Sequence, residues 1–280
     1  MKWLKYLALG LCIGCSPINP ETKNSKNVEK NKREKYALII NANSETERVN
    51  SVSLADSVLS ENNYNTYILD ETKGRDYHVN GISTKENIGK FFQNADIGKD
   101  DLFLLFAAGH GSKDTLNKNI FSIINIASGE SLDPKSLKKY LKNINPDKGI
   151  LLFPQCYGWR FGKKFGKDNY IAISLSRKSK PSYGTNFSEG FFKSFNSQKA
   201  DANNDRKISV LEASVNGCEE DFRTPLCFDY ESLLYGKSFE YSHYVKKNTP
   251  HNKPRIHSQN TNPRNVYVSE ISNKNKVNNN

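Results

Sequence analysis

Short, unbroken apolar runs organise this chain, and the clearest are Tyr36-Ala37-Leu38-Ile39-Ile40, Leu102 to Ala108 and Ile150 to Phe153. Continuous runs of this length predict strands buried on both faces, because a strand with one wet face would alternate apolar and polar residues. Tyr67-Ile68-Leu69 and Tyr170 to Ser174 predict two more strands, and Phe121 to Ile126 a further strand or hairpin arm. Between the runs the period changes. Val49 to Leu59 and Phe187 to Phe195 carry the 3.6-residue apolar spacing of helices. Ser83-Thr84-Lys85-Glu86 has the form of a capping box opening a helix to about Phe92. Asp133-Pro134 predicts a helix start, running through Leu141, since Pro is favoured at the first helical position. Strands alternating with helices, with no internal repeat, predict an α/β protein: a three-layer α/β/α sandwich around a mostly parallel central sheet.

The residues just past two of these strands carry the chemistry. Gly109-His110-Gly111 closes the run at Ala108, and Pro154-Gln155-Cys156-Tyr157-Gly158 follows Phe153, 46 residues from His110 to Cys156. In an open parallel sheet, ligands bind in the crevice outside the carboxyl ends of the strands. A His and a Cys delivered to two such ends can meet there although distant in sequence. The imidazole can then take the thiol proton and leave a thiolate, the reactive form. That pairing predicts a cysteine hydrolase; the alternatives are a buried small hydrophobe at Cys156 and a turn residue at His110.

Composition adds an address. Met1-Lys2-Trp3-Leu4-Lys5 followed by the apolar Tyr6 to Ile13 reads as a signal peptide over residues 1–14, too short for a membrane span. The formal charge of +11 is concentrated at the ends: residues 1–35 hold eight Lys or Arg against three Glu, and residues 246–280 hold seven against one. Residues 36–245 are formally neutral, so no nucleic-acid face is expected. Residues 15–35 read as a solvated tether, 36–245 as the folded domain, and 246–280 as a disordered, basic, Asn-rich tail. Of the five cysteines, Cys218 and Cys227 are left as a candidate disulfide once Cys15 and Cys156 take other roles, with two thiols as the alternative.

Leu11-Cys12-Ile13-Gly14-Cys15-Ser16 resembles a bacterial lipobox, with Cys12 where the pattern usually has Leu. The resemblance implies lipidation at Cys15 and a cell-envelope protein anchored to a membrane, with the outer membrane expected; ordinary cleavage near Cys15 is the alternative.

The ordered blocks Asp101 to Ser112, Gly149 to Gly158, Lys180-Pro181-Ser182-Tyr183-Gly184, Ala200 to Ser209 with Glu212, and Thr224-Pro225 make the chain resemble the legumain family of cysteine peptidases, relatives of caspases and gingipains. The resemblance implies a caspase-like fold and an endopeptidase in which Cys156 is the nucleophile, His110 the general base, and the backbone N–H groups of Gly111 and Cys156 the oxyanion hole. It also implies that Asn43 orients the His, with Asn41 competing, and that Arg48 and Ser182 line the substrate pocket. On the residues alone, both asparagines read as turn residues and Arg48 and Ser182 as surface residues. The chain departs from the family at Gly109, where many members have Asp, and at Tyr157-Gly158-Trp159, where a Ser-Gly type turn is usual; Trp159 is a candidate pocket residue. The implied partner is a peptide or protein substrate, and no cofactor is required for the chemistry. A catalytically inactive binding module and a peptidyl transferase on the same site remain as alternatives.

Asp201, Asn203, Asp205, Lys207, Ser209 and Glu212 fall at positions one, three, five, seven, nine and twelve of an EF-hand-like loop, a candidate structural Ca²⁺ site, with Arg206 where Gly is usual. The competing reading is an Asp-rich loop before a helix capped by Ser209 and Glu212.

Overall fold

In the computed structural model, the compact unit that carries the fold begins at Arg33. The structure describes residues 33–42, 45–72, 75–114, 121–166, 169–175, 185–220, 255–258, 261 and 263–270. Cys15, Asn43, Ser182 and Cys227 lie outside these residues, as do the leader and most of the tether.

The apolar runs form the strands expected of them. Strands β1 (Lys35–Ala42), β2 (Tyr64–Asp70), β3 (Gly81–Ile82), β4 (Leu102–Gly109), β8 (Lys148–Phe153) and β9 (Tyr170–Ser174) are parallel, and β11 (Arg255–His257) closes one edge antiparallel to β9. The order across the sheet is β11-β9-β8-β4-β1-β2-β3. Alternate residues of each central strand go to opposite cores. Ala37, Ile39, Leu104, Phe106, Ile150 and Leu152 join one cluster, while Leu38, Ile40, Phe103, Leu105, Leu151 and Phe153 join the other. Helices α1 (Thr46–Glu61), α5 (Thr185–Lys193) and α6 (Val210–Glu220) cover the first face. Helices α2 (Lys85–Asn94), α3 (Pro134–Leu141) and α4 (Trp159–Phe165) cover the second. This is the three-layer α/β/α sandwich the patterning predicted. Phenylalanines fill both layers: Phe106 meets Phe192 edge-on at 5.0 Å, and Phe92 meets Phe103 at 5.9 Å. Each such side chain, fully buried, stabilises the fold by about 1.5–3 kcal/mol.

Within 246–280, expected as a disordered tail, the described residues 255–258, 261 and 263–270 include ordered strands. Besides β11, β12 (Tyr267–Glu270) pairs antiparallel with β10 (Lys207–Ser209). Val266 and Val268 enter the first core, and Ile256 does so from β11. The Tyr64 hydroxyl donates to the Val268 carbonyl (3.0 Å) and the Ser269 hydroxyl to that of Phe195 (2.6 Å). A few apolar residues, set among Lys and Asn, are enough when each finds a prepared strand edge. At the end of the expected tether, Arg33 pairs with Asp147 at 3.0 Å, and the Glu34 N–H donates to Asp101.

One helix start differs in detail. Thr84, not Ser83, caps α2 by accepting the Asn87 N–H, and Glu86 pairs with Lys90 at 2.6 Å instead of reaching back. Asp133 caps α3 as expected, accepting from Lys135 and Ser136 N–H at 2.7 and 3.1 Å. Phe121 to Asn125 is a hairpin arm: β6 (Phe121–Asn125) lies between β5 (Gly111–Asp114) and β7 (Ser131–Leu132).

Candidate active site

The chain runs outward from β1 through β2 and β3 in one direction and through β4, β8 and β9 in the other, so the order reverses between β1 and β4. The connection after β1 leads to a helix on one face, while β4 is followed by the β5–β7 hairpin and α3 on the other. A crevice opens at such a switch point, beyond the carboxyl ends of the strands.

His110 stands at that place. It follows Gly109, which pairs with Ala42 at the last register position of β1 and β4. Gly109 has φ 155°, and a Cβ on it would lie 2.9 Å from the Ala42 Cβ. Any side chain here would have to displace Ala42, so the position calls for Gly. The His110 carbonyl accepts the Asn125 N–H at 2.9 Å, tying the turn to the β6 arm. Its ring is half exposed, and Nε2 lies 3.3 Å from Oε1 of Glu45.

Cys156 comes from the next strand, β8. A Cβ on Gly111 would fall 1.9 Å from the Cys156 carbonyl oxygen and 2.9 Å from Cγ of Gln155. The backbone after His110 therefore rests directly on the backbone of Cys156, an approach only glycine allows. The Cys156 turn is itself tight. The Gly158 N–H donates to the Gln155 carbonyl at 3.2 Å, and Tyr157, third in that turn, has φ 59°. A left-handed residue at the third position is what type II turns assign to Gly, so Tyr157 is strained where Gly would not be. Beyond it α4 is anchored by Phe161, whose ring centroid lies 4.9 Å from that of Phe153. Trp159 opens this helix half exposed, with the Lys163 ammonium 5.3 Å from its ring centroid.

A polar cluster lies at the ends of β1 and β2. The fully buried Asp70 accepts from Asn41 Nδ2 (2.9 Å) and the Tyr77 hydroxyl at Oδ2 and from the Thr72 N–H (2.9 Å) at Oδ1, with Arg75 Nε 3.7 Å from Oδ1. Burial first, and then the Asp70 carboxylate, hold the Tyr77 phenol above its ordinary range. The Asn41 amide is thus engaged with Asp70 and Tyr77. Arg48, read on its residue type as a surface group, is buried at 8% exposure in the first turn of α1.

Among the described residues, the buried side-chain polar atoms without a hydrogen-bond partner belong to Arg75, Ser83 and Gln155. These residues follow β2, β3 and β8, all at the carboxyl edge. Buried polar groups are nearly always paired, so a concentration of exceptions on one edge marks it. The patterning did not anticipate Glu45, Gln155 or the Asp70 cluster. For Asp70 and Gln155, a polar residue in the first two positions past a buried run was the available signal.

The loop from Asp201 to Glu212 folds onto its own amides. Asp201 accepts the N–H groups of Asp205 (3.1 Å) and Arg206 (2.8 Å), Asn203 accepts that of Asp205 (2.9 Å), and Asp205 accepts that of Lys207 (2.8 Å). Glu212 accepts from the Ala202 and Ser209 N–H groups, while the Ser209 hydroxyl accepts the Glu212 N–H at 3.2 Å, completing a capping box before α6. Asn204 and Arg206 take φ of 58° and 64°, so Arg206 adopts the conformation expected of the missing Gly. Among the described residues, no group of three or more His, Cys, Asp or Glu side chains is disposed to hold a metal ion. Cys218 is buried in α6 at 3% exposure.

The fold and this edge define an α/β domain that presents an imidazole and a thiol on adjoining loops at a topological switch point. The chain matches no family model and no curated protein. Among solved structures it is similar to a secreted C11 cysteine protease from Bacteroides thetaiotaomicron, determined with an irreversible peptide inhibitor. The identity is 11% and the TM-score 0.36, over 67% of this chain and 58% of that one. The chain therefore spans less than two thirds of that protease's length. Among the described residues, no helix is long and apolar enough to cross a membrane.

Proposed function

We propose that the protein is a cysteine endopeptidase in which Cys156 and His110 form a catalytic dyad. The observation that carries this reading is the approach of Gly111 to the Cys156 backbone, which brings the two strand ends together. In the proposed mechanism His110 takes the Sγ proton, and the thiolate attacks the carbonyl carbon of the scissile peptide. The carbonyl π pair moves to oxygen, where the Gly111 and Cys156 N–H groups stabilise it. Collapse breaks the C–N bond; His110 returns the proton to the leaving amine, and a thioester remains. Water, deprotonated by His110, then attacks the thioester and releases the carboxylic acid and the thiol. These steps use only side-chain and backbone groups of this chain.

Arg48, Ser182 and Trp159 are proposed to line the substrate pocket, and Asn43 to help orient His110; an Arg48-lined pocket would favour acidic or amide side chains before the scissile bond. The protein is proposed to act at the cell envelope, held by lipid on Cys15. Labelling with an electrophilic peptide tests the nucleophile: wild type is expected to label, and Cys156→Ala and His110→Ala are not. Labelling that survives Cys156→Ala overturns the assignment. Labelling without cleavage of any member of a mixed peptide library favours a binding module.

A structural Ca²⁺ is proposed for the Asp201–Glu212 loop, where it would compete with the backbone N–H groups for the same oxygens. A rise in Tm on adding millimolar calcium is expected, and an unchanged Tm ends that proposal.

A further inference from the structure

We infer that Glu45 is a positioning residue for His110, its carboxylate accepting the Nε2–H of the imidazole and leaving Nδ1 as the base toward Cys156. The inference rests on the dyad proposed above.

The chain leaves β1 and β4 side by side, because Ala42 and Gly109 are paired at the ends of these neighbouring strands. Three residues further on from Ala42, and one from Gly109, the side chains of Glu45 and His110 meet at 3.3 Å between Oε1 and Nε2. That is slightly long for an N–H···O bond, as catalytic hydrogen bonds often are before substrate tightens them.

Glu45 occupies an unusual post. It is the N-cap residue of α1, and its carbonyl accepts the N–H groups of Arg48 (3.0 Å) and Val49 (3.1 Å). An N-cap normally holds Ser, Thr, Asp or Asn, whose short side chain folds back onto a free amide. The Glu45 side chain makes no capping hydrogen bond and extends toward His110 instead. Helices α2 and α3 have ordinary caps in Thr84 and Asp133. Helix α1, which begins beside the imidazole, has instead a longer carboxylate, able to span the gap between two strand ends. The helix start fixes the Glu45 backbone, and the carboxylate fixes the ring.

The tautomer follows. With Nε2 protonated and donating to Glu45, Nδ1 holds the lone pair that accepts the Sγ–H proton, giving thiolate and imidazolium. The two side chains are 50% and 59% exposed, so solvent screens their charges and orientation is the larger contribution.

The test uses the full chain as wild type, Glu45→Ser, Glu45→Gln and His110→Ala. Alkylation of Cys156 by iodoacetamide near neutral pH is read by mass spectrometry on the tryptic peptide Gly149–Arg160, beside Tm and, on a cleaved peptide, kcat and KM. Glu45→Ser supplies a proper cap and is expected to raise Tm by about 2–4 °C. It is also expected to slow alkylation and lower kcat by roughly tenfold, a fraction of what a general base contributes, with KM held. Glu45→Gln retains an acceptor and is expected to lose less than Glu45→Ser. Alkylation and kcat unchanged in Glu45→Ser overturn the inference, as does a loss that merely follows a lower Tm. Alkylation of His110→Ala at the wild-type rate instead overturns the dyad, and with it this role. If no peptide is cleaved but the alkylation pattern holds, the peptidase reading falls while Glu45 keeps its role.

Discussion

Among the described residues, the unsatisfied buried side-chain groups gather at one end of the central sheet, although Asp70 at that end is fully bonded. At the amino end, Asp101 is 2% exposed, yet both its carboxylate oxygens are occupied, one by the Glu34 N–H at 3.1 Å and the other by the Gly98 N–H at 2.8 Å. Its own carbonyl accepts the Asp147 N–H at 2.9 Å. At the carboxyl end, Gln155 is just as buried and its amide has no partner, Tyr157 is left-handed, and Gly109 and Gly111 stand where a Cβ would collide. Satisfied polar groups hold loops in place; unsatisfied ones and strained turns persist only where the surrounding structure enforces them. One end of the same sheet is built for stability, and the other tolerates the cost of a site.

Substitutions at the two ends should therefore separate stability from activity. The largest effect is expected from Gly111→Ala, which drives a methyl group into the Cys156 carbonyl. Peptidase activity should fall by about a hundredfold or more, as displacement of reacting groups by ångströms does, and stability by about 1–3 kcal/mol. Kinetics with a parallel urea titration check both; wild-type activity in this variant would remove the proposed oxyanion hole.

Asp101→Ala reverses the balance. It strands two backbone N–H groups and is expected to cost about 2–3 kcal/mol of stability while leaving kcat within about twofold at temperatures where the protein stays folded. An activity loss beyond that fraction unfolded would mean the two ends are not independent.

The smallest effect is expected from Gln155→Met, which keeps the side-chain length and removes both orphaned polar atoms. A gain of about 1 kcal/mol in denaturant unfolding is expected. A loss of stability would show that the amide has a partner in solution, such as an ordered water, and would weaken the contrast between the ends. Stability gained together with activity lost would sharpen it.

The parallel strands were legible because their burial is two-sided, so Leu38 and Ile39 announce a strand without regard to what each touches. His110 and Cys156 were legible for a related reason, since each stands where such a run stops. The features that escaped depend on distant partners. Ile256, Val266 and Val268 look like isolated apolar residues in a polar segment until β9 and β10 offer them edges. Arg48 reads as exposed until the start of α1 is placed against the sheet. Glu45 carries no pattern at all, because its place as an N-cap and its distance to His110 are both products of the β1–β4 pairing. Helix α4 was missed because its Phe161 and Phe165 lie four apart in a short segment dominated by Gly and Lys, too brief for a period to show.

The hydrogen bond from Tyr64 to Val268 spans 204 residues. A ribosome adding about 5–20 residues per second needs on the order of 10–40 s to cover that interval. The Tyr64 hydroxyl waits through all of it for its acceptor, and the β10 edge, synthesised later, waits through its last part for the strand that pairs with it. Contacts this distant in sequence are formed late and slowly. The ends of β4 and β8 are thus synthesised well before β12, the strand that covers this part of the core.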